Sequence, residues 1–322
     1  MEDKLVRQFS THLLDKRIIS KQLVRLLDLI KDLISRLCDV RKLRIDKKSL
    51  FSSVSDFSKV TKRLIYYFRI WLLMSKNSFM VMLSQKKLLT LFLAGKLVRF
   101  TFFAAFLYYL VIGADNLAGY TVGQTVFFFL TFNVIDILAQ FLFREVYRFR
   151  QLVVSGDLDL VLVKPQNVLF RVLMGGADII DLITIPPLLF AVWYVGRLLN
   201  PSILHTTYYL LLVLNGLLIA TAFHIAVLSL GVITLEIDHT IMIFRDLTNL
   251  GRLPVDIYKQ PLRGILTFLI PVGIMITLPA KAIMGFVTFY GVVLSFVLGV
   301  GAIFVSLRFW NFALKHYTSA SS

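Results

Sequence analysis

Long apolar runs alternate with short polar stretches along this chain, and the runs predict its elements. Residues 88–113, 122–143, 168–195, 204–233 and 286–307 are each mostly apolar. A helix of about 20 such residues, rising 1.5 Å per residue, crosses a hydrocarbon layer about 30 Å thick. A lipid-embedded β-barrel would show segments of about 10 residues alternating apolar and polar. The runs here are continuous, so the pattern predicts an all-α, polytopic helical membrane protein.

Residues 240–285 admit two readings. "TIMIFRDLTNLGRLPVDIYKQP" is moderately apolar, and "GILTFLIPVGIMITLPAKAIMG" (264–285) is apolar but broken by Pro271 and Pro279. Either the second piece is the fifth span, or the first piece crosses and the second forms a re-entrant pair of short helices. Irregular backbone at membrane depth is tolerated only where protein or water covers it. Both readings give about six transmembrane crossings and place both termini on the same side, the inside.

The front of the chain is different. Residues 1–62 read as a basic, helical N-terminal extension, cytoplasmic like the termini. Leu23, Leu26, Leu27, Ile30, Ile34 and Leu37 recur at spacings of three and four, one apolar stripe opposite charges. That stripe suits a helix packed on its neighbours, or one that binds a partner or the membrane interface. Residues 63–87 are aromatic but interrupted by Arg69, Lys76 and Asn77. They predict an amphipathic helix lying at the interface, with Tyr66, Tyr67 and Trp71 at headgroup depth. No apolar signal-peptide core opens the chain, so insertion is expected to rely on the first span.

Composition agrees with the pattern. The 322 residues are 57% hydrophobic, with mean hydropathy +0.78. The single cysteine, Cys38, cannot form an intramolecular disulfide. The formal net charge of +16 could suggest nucleic acid, but its distribution does not. Lys and Arg crowd residues 1–99 and then gather in short patches between spans, the arrangement that orients a membrane protein and touches anionic lipid. "GADNLAGY" (113–120), free of Lys and Arg, reads as external, and "FREVYRFR" (143–150) as internal.

Several polar residues interrupt the spans. Lys96 and Arg99 lie in the first. Asn133, Asp136 and Gln140, spaced three and four apart, share a face of the second, and Asp178 and Asp181 share a face of the third. Ionisable groups at depth are costly and face the bundle interior or water. They are candidates for a translocation lining or proton relay, or else for hydrogen bonding between helices and pairing with Lys96, Arg99 or Arg245. No phosphate-cradling G-x-x-x-x-G-K-[ST], no metal-spaced Cys/His cluster and no hydrolase motif occurs, so neither a catalytic residue nor a metal is expected.

The stretch after the second span carries the most specific pattern. Arg144, Arg148 and Arg150 begin it, Gly156 is placed to cap a short helix, and Pro165 forbids helix in the residue before it. It is either an ordinary connection or a rigid knob on which a soluble motor docks. Its "GDLDLVLVKPQNVLF" (156–170) resembles a signature of ABC-2 type transporter permeases, at Gly156, Asp157, Leu158, Asp159, Leu162, Lys164, Pro165, Leu169 and Phe170; relatives often carry Arg where Lys164 stands. "LPVDIYKQPLRGILTFLIPVGIMITLPAKAIMG" (253–285) is similar to a second family series, at Pro254, Tyr258, Leu262, Arg263, Ile270, Pro271, Pro279, Ala280 and Gly285, and the ending "YTSASS" (317–322) to a third. The resemblance spans about residues 65–322, to the small six-span bacterial subgroup that pairs with a separate ATPase. It implies a bacterial cytoplasmic-membrane permease subunit of an exporter, with ATP bound by the partner and no cofactor of its own. It further implies ABC ATPase subunits docked on the internal knob, a second permease copy or paralogue, and a re-entrant element near the outer face. An ion-coupled secondary transporter and a membrane scaffold are the other readings, and the cargo is not legible.

Overall fold

The computed structural model describes residues 47–113, 118–234 and 238–317. The amphipathic stripe at 23–37, Cys38 and the ending beyond Tyr317 lie outside the described residues. The chain divides into two compact units, residues 1–67 and 68–322. The described part of the first belongs to helix α1 (Lys47–Ser84), whose C-terminal half contributes to the second. The boundary expected at 62 therefore falls inside a helix.

In the second unit, α2 (Lys86–Gly113), α3 (Val122–Leu142), α7 (Ile179–Leu198), α8 (Ile203–Thr234) and α12 (Phe289–Lys315) are long and apolar enough to cross a membrane. Local chemistry sets their starts. Thr121 and Gln124 form a capping box on α3, Asp178 accepts from Ile180 N at 2.9 Å to start α7, and Thr288 accepts from Gly291 N at 3.3 Å to start α12. Between α3 and α7 lie a 3₁₀ turn (Arg144–Arg148) and three short helices, α4 (Phe149–Val154), α5 (Asp157–Val163) and α6 (Val168–Met174).

The third span is thus shorter than its apolar run. The run read as 168–195 is two helices: α6 ends at Gly175, whose φ of 49° only glycine adopts readily, and α7 begins after Asp178. A Cβ on Gly175 would sit 2.4 Å from the Glu145 side chain, and one on Gly176 2.8 Å from Met74 O, so both glycines also permit close packing. Asp178 is the cap, just before the span, and Asp181 lies in its first turn, so both sit at its beginning and not at its middle. The last span runs 289–315, not 286–307, because Thr288 supplies the cap and the helix continues past Arg308.

The structure selects the second reading of 240–285. α9 (Asp238–Asn249) and two 3₁₀ turns, Leu250–Arg252 and Val255–Ile257, run antiparallel beside α3 for its length. Phe244 meets His224, which also meets Phe143 at the end of α3; Arg252 lies over Phe132 at its middle; Asp256 bonds Tyr120 just before its start. This broken segment makes the fifth pass, and Asp256 lies beyond its far end, level with Tyr120 outside α3. Two limbs follow, α10 (Leu262–Leu269) and α11 (Gly273–Ile283), bent by 75° and containing π turns. Arg263 on α10 and Lys281 on α11 both reach Asp256, so the limbs return to the end they left. They form a re-entrant V with Pro271 at the bend.

α8 is the long central element. A Cβ on Gly216 would lie 2.6 Å from Met275 O of the V, and one on Gly299 of α12 would lie 2.1 Å from Asn215 Oδ1. Asn215 also donates to Ser295 O at 2.9 Å across the same helix pair. Small residues and interhelical hydrogen bonds are what hold helices together where lipid removes the hydrophobic advantage of contact. Around α8 and α3 the fully buried Phe127, Phe128, Leu212, Ile219 and Leu228 fill the core.

Gly299→Ala should therefore cost about 1–3 kcal/mol by overpacking. Gly301→Ala, where a Cβ meets nothing within 4 Å, should change stability by less than about 0.5 kcal/mol. Unfolding temperatures in detergent compare the two.

Candidate functional site

The knob, residues 144–174, is built so that one side anchors and the other is presented. The chain leaves α3 at Phe143, turns through 3₁₀ geometry and enters α4. Gly156, at φ 74°, lets the backbone reverse into α5. α5 stops at Lys164, whose ψ of 144° is the extended geometry that a following proline demands. Phe149, Val153, Leu158 and Val161 are buried against the bundle. Val154, Leu160 and Val163 point the other way, exposed by 69%, 61% and 85%. Arg148, Arg150, Asp157, Lys164 and Pro165 are exposed around them.

Polar contacts fix the knob to the bundle. Asp157 accepts from Ser155 Oγ at 2.7 Å, within the turn. Asp159 accepts from Tyr317 Oη at 3.0 Å, which joins the acidic pair to the C-terminal segment 158 residues away. At the base, buried Glu145 pairs with Arg171 at 2.8 Å, and Arg144 with Asp178 at 3.2 Å. Asn167 caps α6 by accepting from Phe170 N at 3.0 Å. The structure thus brings Gly156, Asp157, Asp159, Lys164, Pro165, Arg148 and Arg150 together on one small helical element.

The opposite end of the bundle centres on Asp256. Arg263 lies 2.5 Å from one carboxylate oxygen; Lys281 at 2.5 Å and Tyr120 at 2.8 Å meet the other. Burial alone would raise the Asp256 carboxyl. Hydrogen bonds from Lys281 and Tyr120, with the charges of Lys281 and Arg263, outweigh it and hold the carboxyl below its ordinary value. Burial, then the bond to Asp256, pushes the Tyr120 phenol up. Tyr258 donates to Leu250 O at 2.9 Å, and Thr277 Oγ1 accepts from Val255 N at 3.2 Å beside Pro254. Pro279 is buried in α11. Pro254, Tyr258, Pro271 and Pro279 therefore belong to one structure, the V and the strap that leads into it.

The intramembrane polar residues do not form one lining. Asn133 donates to Phe129 O on its own helix at 2.7 Å and faces a cavity between α2, α3 and α7. Asp136 accepts from Gln140 Nε2 at 2.8 Å and faces a different, small cavity with Tyr147, His224, Phe244 and Thr248. Asp181 meets Lys96 Nζ at 2.5 Å.

Comparison with known proteins supplies the class. A family model described as "ABC-2 family transporter protein" matches residues 97–321, from within α2 past the end of α12. The chain belongs to the ABC-2 transporter family. No curated protein and no solved structure matches it. As an ABC-2 family chain it is a multi-pass membrane protein of the ABC transporter permease class. That class is in general the non-catalytic transmembrane part of a transporter and implies an ABC ATPase partner.

Sequence reading missed three features of this ABC-2 chain. Asp256 does not stand out within the stretch 253–285, although Arg263 and Lys281 in the same stretch are a usable signal of a charge-sharing site. The exposed trio Val154, Leu160 and Val163 has no signal, since the buried Val153, Leu158 and Val161 beside them are equally apolar in sequence. Glu145, between Arg144 and Arg148, reads as surface charge until Gly175 closes over it.

Replacing Asp256 by Asn leaves Arg263 and Lys281 sharing no carboxylate. The expected loss is about 1–3 kcal/mol, since hydrogen bonds to charged groups are worth that much. Because the folded carboxyl is held low, its contribution is complete above the ordinary carboxylate range and is lost as pH falls through the depressed value, below about 4. The native chain should lose stability in that acid window, and Asp256→Asn should lack this component. Thermal unfolding in detergent across pH 2–7 measures both.

Proposed function

We propose that this chain is the membrane-spanning subunit of a bacterial ABC exporter, driven by a separate ATPase that docks on the knob of residues 144–174. One observation carries the reading. The knob presents three exposed apolar side chains, Val154, Leu160 and Val163, ringed by Arg148, Arg150 and Lys164, on a base held by buried ion pairs. An apolar centre with a charged rim is the composition of a protein-binding patch. The same element is tied to the start of α7 through Arg144–Asp178 and to the end of α12 through Asp159–Tyr317, so a push on it reaches two spans.

ATP binds the partner in this reading, and its closure moves the knobs of two permease chains, a second copy or a paralogue. The knob faces the cytoplasm together with both termini. Arg144, Arg148, Arg150, Lys164, Arg171, Arg308 and Lys315 all gather at that end, which supports the sidedness. The V lies at the outer face, where Asp256 holds its limbs closed against the bundle.

Leu160→Glu with Val163→Glu leaves the buried side of α5 intact and puts charge in the centre of the patch. Co-purification with its ABC ATPase should weaken by about tenfold or more, as central anchors do. Asp159→Lys should uncouple ATP hydrolysis from transport by breaking the contact with Tyr317. Unchanged ATPase capture and unchanged ATP-driven transport in both variants would refute the docking assignment.

A further inference from the structure

A cavity of about 430 Å³ lies between α2, α3 and α7, with Arg252 also in its lining. Pockets that take small molecules run from about 300 to 1,000 Å³. Leu93, Phe100, Phe129, Pro187 and Leu188 make its walls apolar. Leu97 on α2 and Ile183 on α7 line it and are also exposed, so it opens sideways between these helices, toward lipid.

Three cations line the cavity, Lys96, Arg99 and Arg252, and no acidic residue does. Lys96 is already held by Asp181 at 2.5 Å and Thr184 at 3.2 Å. Arg99 and Arg252 make no hydrogen bond or ion pair among the described residues. Arg252 is instead laid over two rings, Phe103 at 5.4 Å and Phe132 at 5.6 Å, which fixes its direction but satisfies none of its five N–H donors. Arg99 is thirteen residues into α2, about 20 Å from its start at 1.5 Å per residue, too deep to reach water easily. Asp136, one turn along α3 from Asn133, bounds the neighbouring cavity and feels the charges of Arg99, Arg245 and Arg252, so three guanidinium groups share this one carboxylate and none pairs with it directly. Guanidinium groups that outnumber their carboxylates at membrane depth are costly and draw in a further counter-charge.

We propose that this cavity is a lateral binding site for an amphiphilic anion. Arg99 and Arg252 hold its acidic group, and the apolar walls of α2 and α7 receive its tail. The headgroup chemistry, an oxyanion that two guanidinium forks can share, fits both an anionic membrane lipid and a free fatty-type acid. Binding at this site does not depend on the ATPase, so it stands or falls separately from the exporter reading.

The test uses the full chain in nanodiscs of phosphatidylcholine, with a diazirine-bearing palmitic acid and its methyl ester as photolabels. The acid should label peptides of α2 and α7, and the ester about tenfold less, the loss expected when one charge-assisted contact is removed. Arg99→Gln with Arg252→Gln should cut labelling by the acid to the ester's level, and Arg252→Lys, which keeps the charge and loses the fork, should give an intermediate level. Ala191→Trp, which fills the cavity and leaves every cation in place, should abolish labelling; it decides the matter should the double variant fail to fold. Competition by phosphatidylglycerol identifies a bilayer lipid as the occupant, and competition by free palmitate alone identifies a free acid. Equal labelling by acid and ester, or labelling indifferent to the double variant and to Ala191→Trp, overturns the proposal. So does a Leu97→Cys chain that crosslinks efficiently to a second copy, since that copy would then cover the mouth.

Discussion

The close approach of α8 to the re-entrant V is the contact on which the rest of the bundle depends. In a hydrocarbon environment every backbone group must find its partner within protein. The V breaks that rule locally, with π turns, a 75° bend and a proline at the bend. It is tolerated because α8 comes close enough at Gly216 to cover it, with no room for a Cβ beside Met275 O. The same helix accepts α12 at Gly299 and meets the knob through His224 and Tyr147. One long helix therefore supports the irregular element at one end and the presented element at the other.

The charges divide into three groups with different duties. At the knob end they are paired where buried, as in Glu145–Arg171, and unburied where presented, as in Arg148 and Lys164. At the V, one carboxylate serves two cations and a phenol, so the limbs are closed by a single group. Between them, the cavity beside α2 holds guanidinium groups that make no direct ion pair and, with Arg245, outnumber the one carboxylate near them, Asp136. The first two arrangements are self-contained. The third is open to an outside counter-ion, and its apolar walls restrict which anions can supply it.

These arrangements connect function to fold through rigidity. The knob is fixed at its base by two ion pairs and at its tip by Tyr317, so movement of the knob is passed to the starts and ends of spans and not absorbed in a loop. Of the carboxylates that a proton relay would need, Asp178 and Asp181 are engaged with Arg144 and Lys96, and Asp136 faces a separate cavity from Asn133. The polar residues of the spans are distributed among local contacts and are not strung along a path.

The sequence by itself determined the helical membrane class, the positions of three of the long spans to within a few residues, and the motif series that places the chain in its family. Those are local properties: hydropathy over about twenty residues, a capping residue, a proline that fixes its neighbour. It could not separate α6 from α7, because the apolar run continues through two glycines whose role is to admit Glu145 and Met74. It left the fifth pass open, because a broken helix of moderate polarity crosses only when α3 lies beside it. The tertiary structure alone decided which apolar residues of α5 are buried and which are presented, and that Asp256, Arg263 and Lys281 meet. Hydrophobicity records how much a residue avoids water; only packing against distant segments decides which surface it is given.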